Sequence, residues 1–500
     1  MNYSFSVLKM ICLWSMCGMS GMLYAQKGIH RKPNIILIYA DDLGYAETEP
    51  YGQQKIKTPH ITALANAGMR FTNHYSGSPV CAPSRCMLMT GKHSGQSYIR
   101  GNYGLGGDTD SLEAGQMPLP EGTVTIAKML QQAGYNTGAI GKWGLGMHDN
   151  SGSPNKQGFD YFFGYLDQKQ AHNYYPSHLW ENDQRYPLDN PWKFVHRPLN
   201  PAVARDADFD FFKGKDYAPE KMTEKALNFI AHNQSSPFFL YLPYTLPHVS
   251  LQVPDAYLKP YLPQFTDKPY YGQDGYASHQ HPRAAYAAMI SYLDEQVGKI
   301  VAQVKALGLE DNTLILFSSD NGAAFNGGVD YTFFNSVGGL RGLKMDVFEG
   351  GIRVPFLAKW PGSIAANTET KLISAQYDLF ATLADLVDLP SSHTNGISFL
   401  PTLLNKGEQQ QHEFLYFEYP EKGGQLAVRK GDWKGVKQDL KKNPKAIWQL
   451  FNLKDDPKEQ IDLAAKHPNI LKELDQIVQR EHQPTHFLEW EIINNKSIKR

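Results

Sequence analysis

Two acidic pairs and one cysteine motif are the residues of this 500-residue chain whose types and spacing could do chemistry. Asp41-Asp42 follows the apolar run Asn34–Ala40, and Asp320-Asn321-Gly322 follows the run Thr313–Ser319. Oxygen-bearing side chains at two such points suit a hard divalent cation, which prefers oxygen ligands. A single pair would read as a turn or helix cap, since Asp and Asn favour those positions. Cys81-Ala82-Pro83-Ser84-Arg85 sets a thiol ahead of a Pro-initiated helix that continues through Thr90 to Gly91. The unpaired N–H groups and dipole at such a helix start favour an anion. Taken alone, a cysteine there is as readily a buried core residue. A thiol phosphatase is excluded by spacing, because its Cys-x5-Arg loop needs Arg where this chain has Met87.

The elements that must position these residues are legible from periodicity. Both apolar runs are continuous, as in strands buried on both faces of a parallel sheet. A third run, residues 237–242, leads into Pro247-His248. Between them, Met222, Ala226, Phe229 and Ile230 keep helical spacing, as do Tyr286, Met289, Leu293, Val297, Ile300 and Val301. Strands alternating with helices predict an α/β domain, with chemistry gathered beyond the carboxyl ends of the strands. Both acidic pairs fall there.

The last hundred residues hold 17 Lys+Arg and 15 Asp+Glu, 32 charges against 67 in the first 400, so charge density nearly doubles. Residues 414–419, 425–436 and 448–453 read as antiparallel strands, and 457 to about 481 as a helix. The expected organisation is a leader over 1–25, a catalytic α/β domain over 26–400 and a smaller α+β subdomain over 401–500.

Hydrophobic residues at 42% and charged residues at 20% exclude a disordered chain, a coiled coil and a collagen-like fibre. Lys+Arg 49 against Asp+Glu 50 leaves no global basic field for nucleic acid or an anionic membrane. Any anion site must therefore be local. Aromatics reach 12%, with 28 Tyr, which suits a large core, stacking against sugar rings, or both. Lys9 followed by an uncharged segment from Met10 to Ala25 reads as a secretory signal peptide, too short to span a membrane. The expectation is an exported chain, periplasmic or secreted, without stable membrane insertion. After cleavage near Ala25 only Cys81 and Cys86 remain, which is no disulfide scaffold.

Cys81-x-Pro-Ser-Arg, closed by Thr90-Gly91, resembles the first signature of the type I sulfatases. Its fixed letters recur by chance in roughly one chain in a thousand. The second signature is matched by Gly134-Tyr135-Asn136-Thr137 running to Gly141-Lys142-Trp143. Pro33-Asn34 to Asp41-Asp42, Pro247-His248, Asp320-Asn321-Gly322 and Lys344 to Pro355 follow the family order. Leu450 to Leu453 with Asp456-Pro457 and Glu459 is a looser match near the C-terminus.

The resemblance implies an alkaline-phosphatase-like fold, a central, mostly parallel sheet flanked by helices. It implies that a maturation enzyme oxidises Cys81 to formylglycine. One hydroxyl of the hydrated aldehyde attacks sulfur, and the other then drives release of sulfate. It assigns one Ca²⁺ per chain to Asp41, Asp42, Asp320, Asn321 and the modified Cys81. It gives Arg85, Lys142 and Lys344 to the sulfate charge, and His248 to the leaving oxygen. The family often has His directly after Lys-Trp; here Gly144 stands there, with His93 and His148 as candidate substitutes. The aromatic stretch from Gln168 to Phe194 could pack as a loop or bind sugar, with His172 and Arg185 reaching hydroxyls. The expected substrate is a sulfated glycan, with galactose or N-acetylgalactosamine sulfate favoured. The alternatives are a phosphoester or phosphonate hydrolase of the same superfamily and a non-catalytic carbohydrate-binding protein.

Overall fold

The computed structural model describes Met1 and residues 32–105, 113 and 115–494. The expected leader over 1–25 therefore lies outside the described residues, apart from Met1. Five parallel strands form the middle of a ten-stranded sheet, in the spatial order Thr313–Ser319, Asn34–Ala40, Phe238–Pro243, Asn136–Lys142 and Tyr161–Tyr165. Phe356–Lys359 extends one side antiparallel, followed by Met69–Phe71 and Thr368–Thr370. The hairpin of His178–Glu181 and Gln184–Pro187 extends the other.

The first strand is apolar throughout because both its faces are covered. Ile36 and Ile38 join one core with Met222, Ala226, Phe229 and Ile230 of helix Ala218–His232, and with helix Pro282–Ala306. Ile35, Leu37 and Tyr39 join the opposite core with Cys86 and Leu88 of helix Cys81–Thr90, and with helix Ile126–Gln132. Alternate side chains of one strand thus feed two cores.

The C-terminal region is a separate four-stranded antiparallel sheet of Leu415–Tyr419, Gln425–Lys430, Trp433–Lys437 and Gln449–Asn452. The predicted strand over 425–436 is two strands, reversed at Gly431-Asp432. One face packs Tyr416, Leu426, Val428 and Leu450 under Leu474, Ile477 and Val478 of helix Pro468–Glu481. The other face packs Phe417, Tyr419 and Phe451 against Val80, Val347, Phe348 and Ile352. This sheet therefore backs both the start of the cysteine helix and the segment after Lys344.

The predicted helix over 457–481 begins only at Pro468. Glu459 sits at φ 54°, a left-handed conformation no helix uses, and its carboxylate is drawn inward. Lys434 Nζ meets Glu459 Oε1 at 2.9 Å and Glu349 Oε1 at 3.0 Å, with all three side chains at most 1% exposed. Tyr75 donates to Glu349 Oε2 at 2.7 Å, and the backbone N–H of Glu349 donates to Glu459 Oε2 at 2.7 Å. Burial opposes the charge of Glu349, but Lys434, Arg429 and Arg353 together hold its carboxyl below the ordinary range. Removing the shared cation leaves two buried carboxylates facing each other. Lys434→Met is therefore expected to cost about 3–5 kcal/mol of stability. Denaturant unfolding measures this, and an unchanged midpoint would refute the account.

Candidate active site

Register brings the acidic pairs together. Ala40 pairs with Ser319, so Asp41 and Asp320 leave adjacent parallel strands side by side, and Asp320 N–H donates to Ala40 O at 3.1 Å. Consecutive strand residues point to opposite faces. Asp42 escapes that alternation through a left-handed backbone, φ 63°, which Asp tolerates. Both carboxylates can then face Cys81, whose Sγ lies 3.3 Å from Asp41 Oδ1 and 3.8 Å from Asp42 Oδ1. Cys81 is the first residue of its helix, two residues earlier than Pro83 would set the start. Asn102 accepts from the Ala82 N–H at 3.0 Å, satisfying one of the open donors of that first turn.

Three cations answer the three carboxylates. Lys142, at the end of its strand, reaches Asp41 Oδ2 at 2.7 Å. Lys344 reaches Asp42 Oδ2 at 2.7 Å. Arg85 binds Asp320 Oδ2 through two nitrogens at 2.9 and 3.2 Å, and donates to the Lys142 carbonyl at 2.6 Å. Burial disfavours charge on Asp41, but Lys142 and Arg85 hold its carboxyl far below the usual range. Asp320 is pushed up to about 7 by burial and by the charge of Asp41. Burial also works against the Lys344 ammonium, and Asp42 more than restores it. The Cys81 thiol is raised by burial and by Asp41, so this cysteine is no thiolate nucleophile as it stands.

His248 follows the Phe238–Pro243 strand. Its Nδ1 donates to the Val249 carbonyl, which leaves Nε2 to accept from Lys344 at 3.1 Å. Burial and the neighbouring Lys344 lower its pKa to about 4, so it rests as a neutral ring. The Tyr174 hydroxyl reaches the carbonyls of Thr245 and His248 at 2.5 and 2.6 Å and pins this loop.

The donor set fits a hard cation. Asp41, Asp42 and Asp320 converge as oxygen donors, and Asn321 supplies an amide oxygen. Asn321 Nδ2 is spent on Asp42 Oδ1 at 2.8 Å, while its Oδ1 is buried without a hydrogen-bond partner among the described residues. A buried amide oxygen beside three carboxylates is satisfied by a metal ion or by nothing in its surroundings. Asp41, Asp42, Cys81 and His248 also place one ligand atom each within 4.8 Å of one another.

Cys81, Lys142, His172, His248 and Lys344 line one cavity of about 230 Å³. Arg185 does not. It is 60% exposed, pairs with Glu113 at 3.3 Å and lies over Trp180. The rest of the aromatic stretch is largely structural, with Tyr174 and Tyr175 buried in the main core. His172 presses flat on His248, with ring centroids 4.8 Å apart and planes 12° apart. Neither candidate substitute at Gly144 lines the cavity: His93 pairs with Glu481 at 3.1 Å, and His148 stacks on Trp180. Gln168, the first residue of the aromatic stretch, also lines the wall, as do Gln116, Asn326 and Glu421, which the sequence analysis did not single out. Of those three only Asn326 carried a signal, its nearness to Asp320-Asn321-Gly322.

A sulfatase family model matches residues 33–389, and a model of the C-terminal part of N-sulphoglucosamine sulphohydrolase matches residues 343–483. An N-acetylgalactosamine-6-O-sulfatase of Bacteroides thetaiotaomicron is 30% identical, covering 90% of this chain and 93% of its own. Arylsulfatase A of Bos taurus is 32% identical, covering 86% of this chain and 83% of its own. The solved structure of Ps i-CgsB superposes with a TM-score of 0.74 at 28% identity, covering 92% of this chain and 97% of that one. The same protein has been crystallised in complex with k-i-k-neocarrahexaose. The chain belongs to the sulfatase family and is a sulfuric ester hydrolase.

Proposed function

We propose that this sulfatase is exported and removes sulfate from a sulfated carbohydrate, a galactose or N-acetylgalactosamine sulfate. The observation that carries the chemistry is Cys81 held 3.3 Å from Asp41, in a cavity where two lysines are pinned on carboxylates. The sugar reading is supported by the relative named an N-acetylgalactosamine-6-O-sulfatase and by the neocarrahexaose complex.

Oxidised to formylglycine, position 81 supplies a hydrated aldehyde, one hydroxyl being the nucleophile and the other the means of releasing sulfate. Asp41, Asp42, Asp320, Asn321 and position 81 would hold a Ca²⁺ ion, which would supply Lewis-acid polarisation of the sulfate and of the nucleophile. The remaining work falls to the chain. Lys142 and Lys344 take the sulfate charge, each already oriented by its carboxylate. Arg85, buried behind Asp320 and Asp41, fixes the acidic end of the site. At rest His248 is neutral with Nε2 unprotonated. The incoming anion raises its proton affinity, so Nε2 takes up one proton from solvent as substrate binds, and the protonated ring then gives that proton to the leaving alcohol oxygen and returns to neutral.

Active enzyme is expected to carry the modification at Cys81 and not at Cys86, whose buried thiol accepts from Ser97 at 3.3 Å. Peptide mass spectrometry checks this, and active enzyme bearing only intact Cys81 would remove the nucleophile from the proposal. Cys81→Ala should abolish turnover and leave the fold intact.

Exhaustive chelation should silence the enzyme, and Ca²⁺ should restore it. Full activity at an elemental analysis showing no metal would count against the ion. Asp320→Ala should lose most activity and about 3–5 kcal/mol of stability, because it strips buried Arg85 of its two-nitrogen partner.

The stacked ring of His172 supports His248 as well as facing the substrate. His172→Ala is expected to lower kcat/KM for a sulfated sugar and for an aryl sulfate alike, by roughly one to two orders of magnitude. Loss on the sugar alone would show that His172 acts on the sugar and leaves His248 undisturbed.

A further inference from the structure

Gln168 lines the same cavity as Cys81, Lys142 and His248, yet nothing in the reaction above uses it. The residue is 8% exposed, and its Oε1 is buried without a hydrogen-bond partner among the described residues. The neighbours determine which way the amide faces. Gln116 Nε2 donates to the Gly115 carbonyl at 3.1 Å and lies 3.4 Å from Asp167 Oδ2, and both of those oxygens can only accept. Gln116 therefore presents its Oε1 to Gln168, whose Nε2 donates to it at 2.8 Å. Turning the Gln168 amide over would set two amide oxygens against each other. The atom left free is an acceptor.

The local backbone is arranged around this side chain. Gly144 sits at φ +75°, and a Cβ there would stand 2.8 Å from Gln168 Cγ and 3.0 Å from its Cδ. The space a side chain at 144 would need is the space Gln168 fills. Asp167 Oδ1 accepts from the backbone N–H groups of Lys169 at 2.6 Å and Gln170 at 3.2 Å. One carboxylate thus orients the amide chain through Gln116 and ties down the turn that carries His172.

A buried acceptor calls for a donor. A sulfate monoester is fully ionised at neutral pH and has no hydrogen to give, so its oxygens repel an amide oxygen. A hydroxyl of the hydrated position 81, which lines the same cavity, would serve every substrate alike; a donor that distinguishes substrates comes from the alcohol side. We infer that Gln168 is a specificity residue whose Oε1 accepts from a hydroxyl or acetamido N–H beside the esterified carbon of the leaving sugar. The inference rests on the sulfated-sugar reading and narrows it, because an aryl alcohol offers no such donor.

The test compares full-length active enzyme with Gln168→Leu and with Gln168→Met, unbranched and of similar length. The substrates are monosulfated galactose and N-acetylgalactosamine, analogues of each lacking one neighbouring hydroxyl or the acetamido group, and 4-nitrophenyl sulfate. One deletion in the sugar should lower wild-type kcat/KM by about ten- to a hundredfold. Each variant should lose a similar factor on the parent sugar, and the two losses should not add. The loss on 4-nitrophenyl sulfate should be at least about tenfold smaller. Equal losses on sugar and aryl ester, or additive losses, overturn the assignment. So does wild-type sugar turnover in either variant, which would make the partner a water molecule. Wild-type enzyme that cleaves 4-nitrophenyl sulfate but no sulfated sugar overturns the sugar reading, and Gln168's role with it.

Discussion

Three carboxylates buried at the carboxyl edge of a parallel sheet must be neutralised, and much of the structure around them answers that requirement. Asp41 and Asp320 are neighbours because their strands are neighbours in register. Buried like charges at such range cannot all ionise unaided. Lys142, Lys344 and Arg85 arrive from three further segments to balance them. The cluster is then close to neutral, so it can accept both a divalent cation and a monoanionic sulfate ester without a large change in net charge. The same ion pairs hold the lysines extended and charged, so little reorganisation is left when an anion enters.

The C-terminal sheet belongs to this arrangement. Its inner face packs on Val80, one residue before Cys81, and on Val347, Phe348 and Ile352, just beyond Lys344. Lys434 then joins Glu349 of that segment to Glu459, which follows the C-terminal sheet, through buried ion pairs. Apolar burial supplies adhesion, and the charged triad supplies registry, since a shifted sheet would leave Lys434 or a carboxylate unpaired. Lys344 keeps its place in the site through a wall built from residues far along the chain, Phe417 to Glu459.

Much of the aromatic stretch after the Tyr161–Tyr165 strand is packed, the first of the two readings its composition allowed. Tyr174 is buried and braces the His248 loop, and His172 lies flat against the His248 ring. The rings chiefly position a histidine. Hydrogen-bonding groups, Gln168 among them, line the cavity beside it.

Periodicity and spacing in the chain alone determined the parallel α/β core, the antiparallel C-terminal sheet and the residues brought together at the strand ends. Continuous apolar runs ending in Asp-Asp and Asp-Asn-Gly are local patterns, and strand order converts them directly into a cluster. The Cys81 signature was readable for the same reason, since a helix start is encoded within a few residues. Tertiary structure decided what depends on contacts across long separations. Helix prediction over 457–481 failed at Glu459 because a lysine 25 positions earlier in the chain draws its carboxylate inward, against helical backbone. The histidine missing at Gly144 left only local candidates to weigh, whereas the side chain that fills its space, Gln168, comes from the neighbouring strand's loop. Arg185 carried the right chemistry for a sugar, but hairpin geometry turns it outward to Glu113. A sequence states which groups are present, and only packing in three dimensions states which of them find a partner and which are left for a ligand.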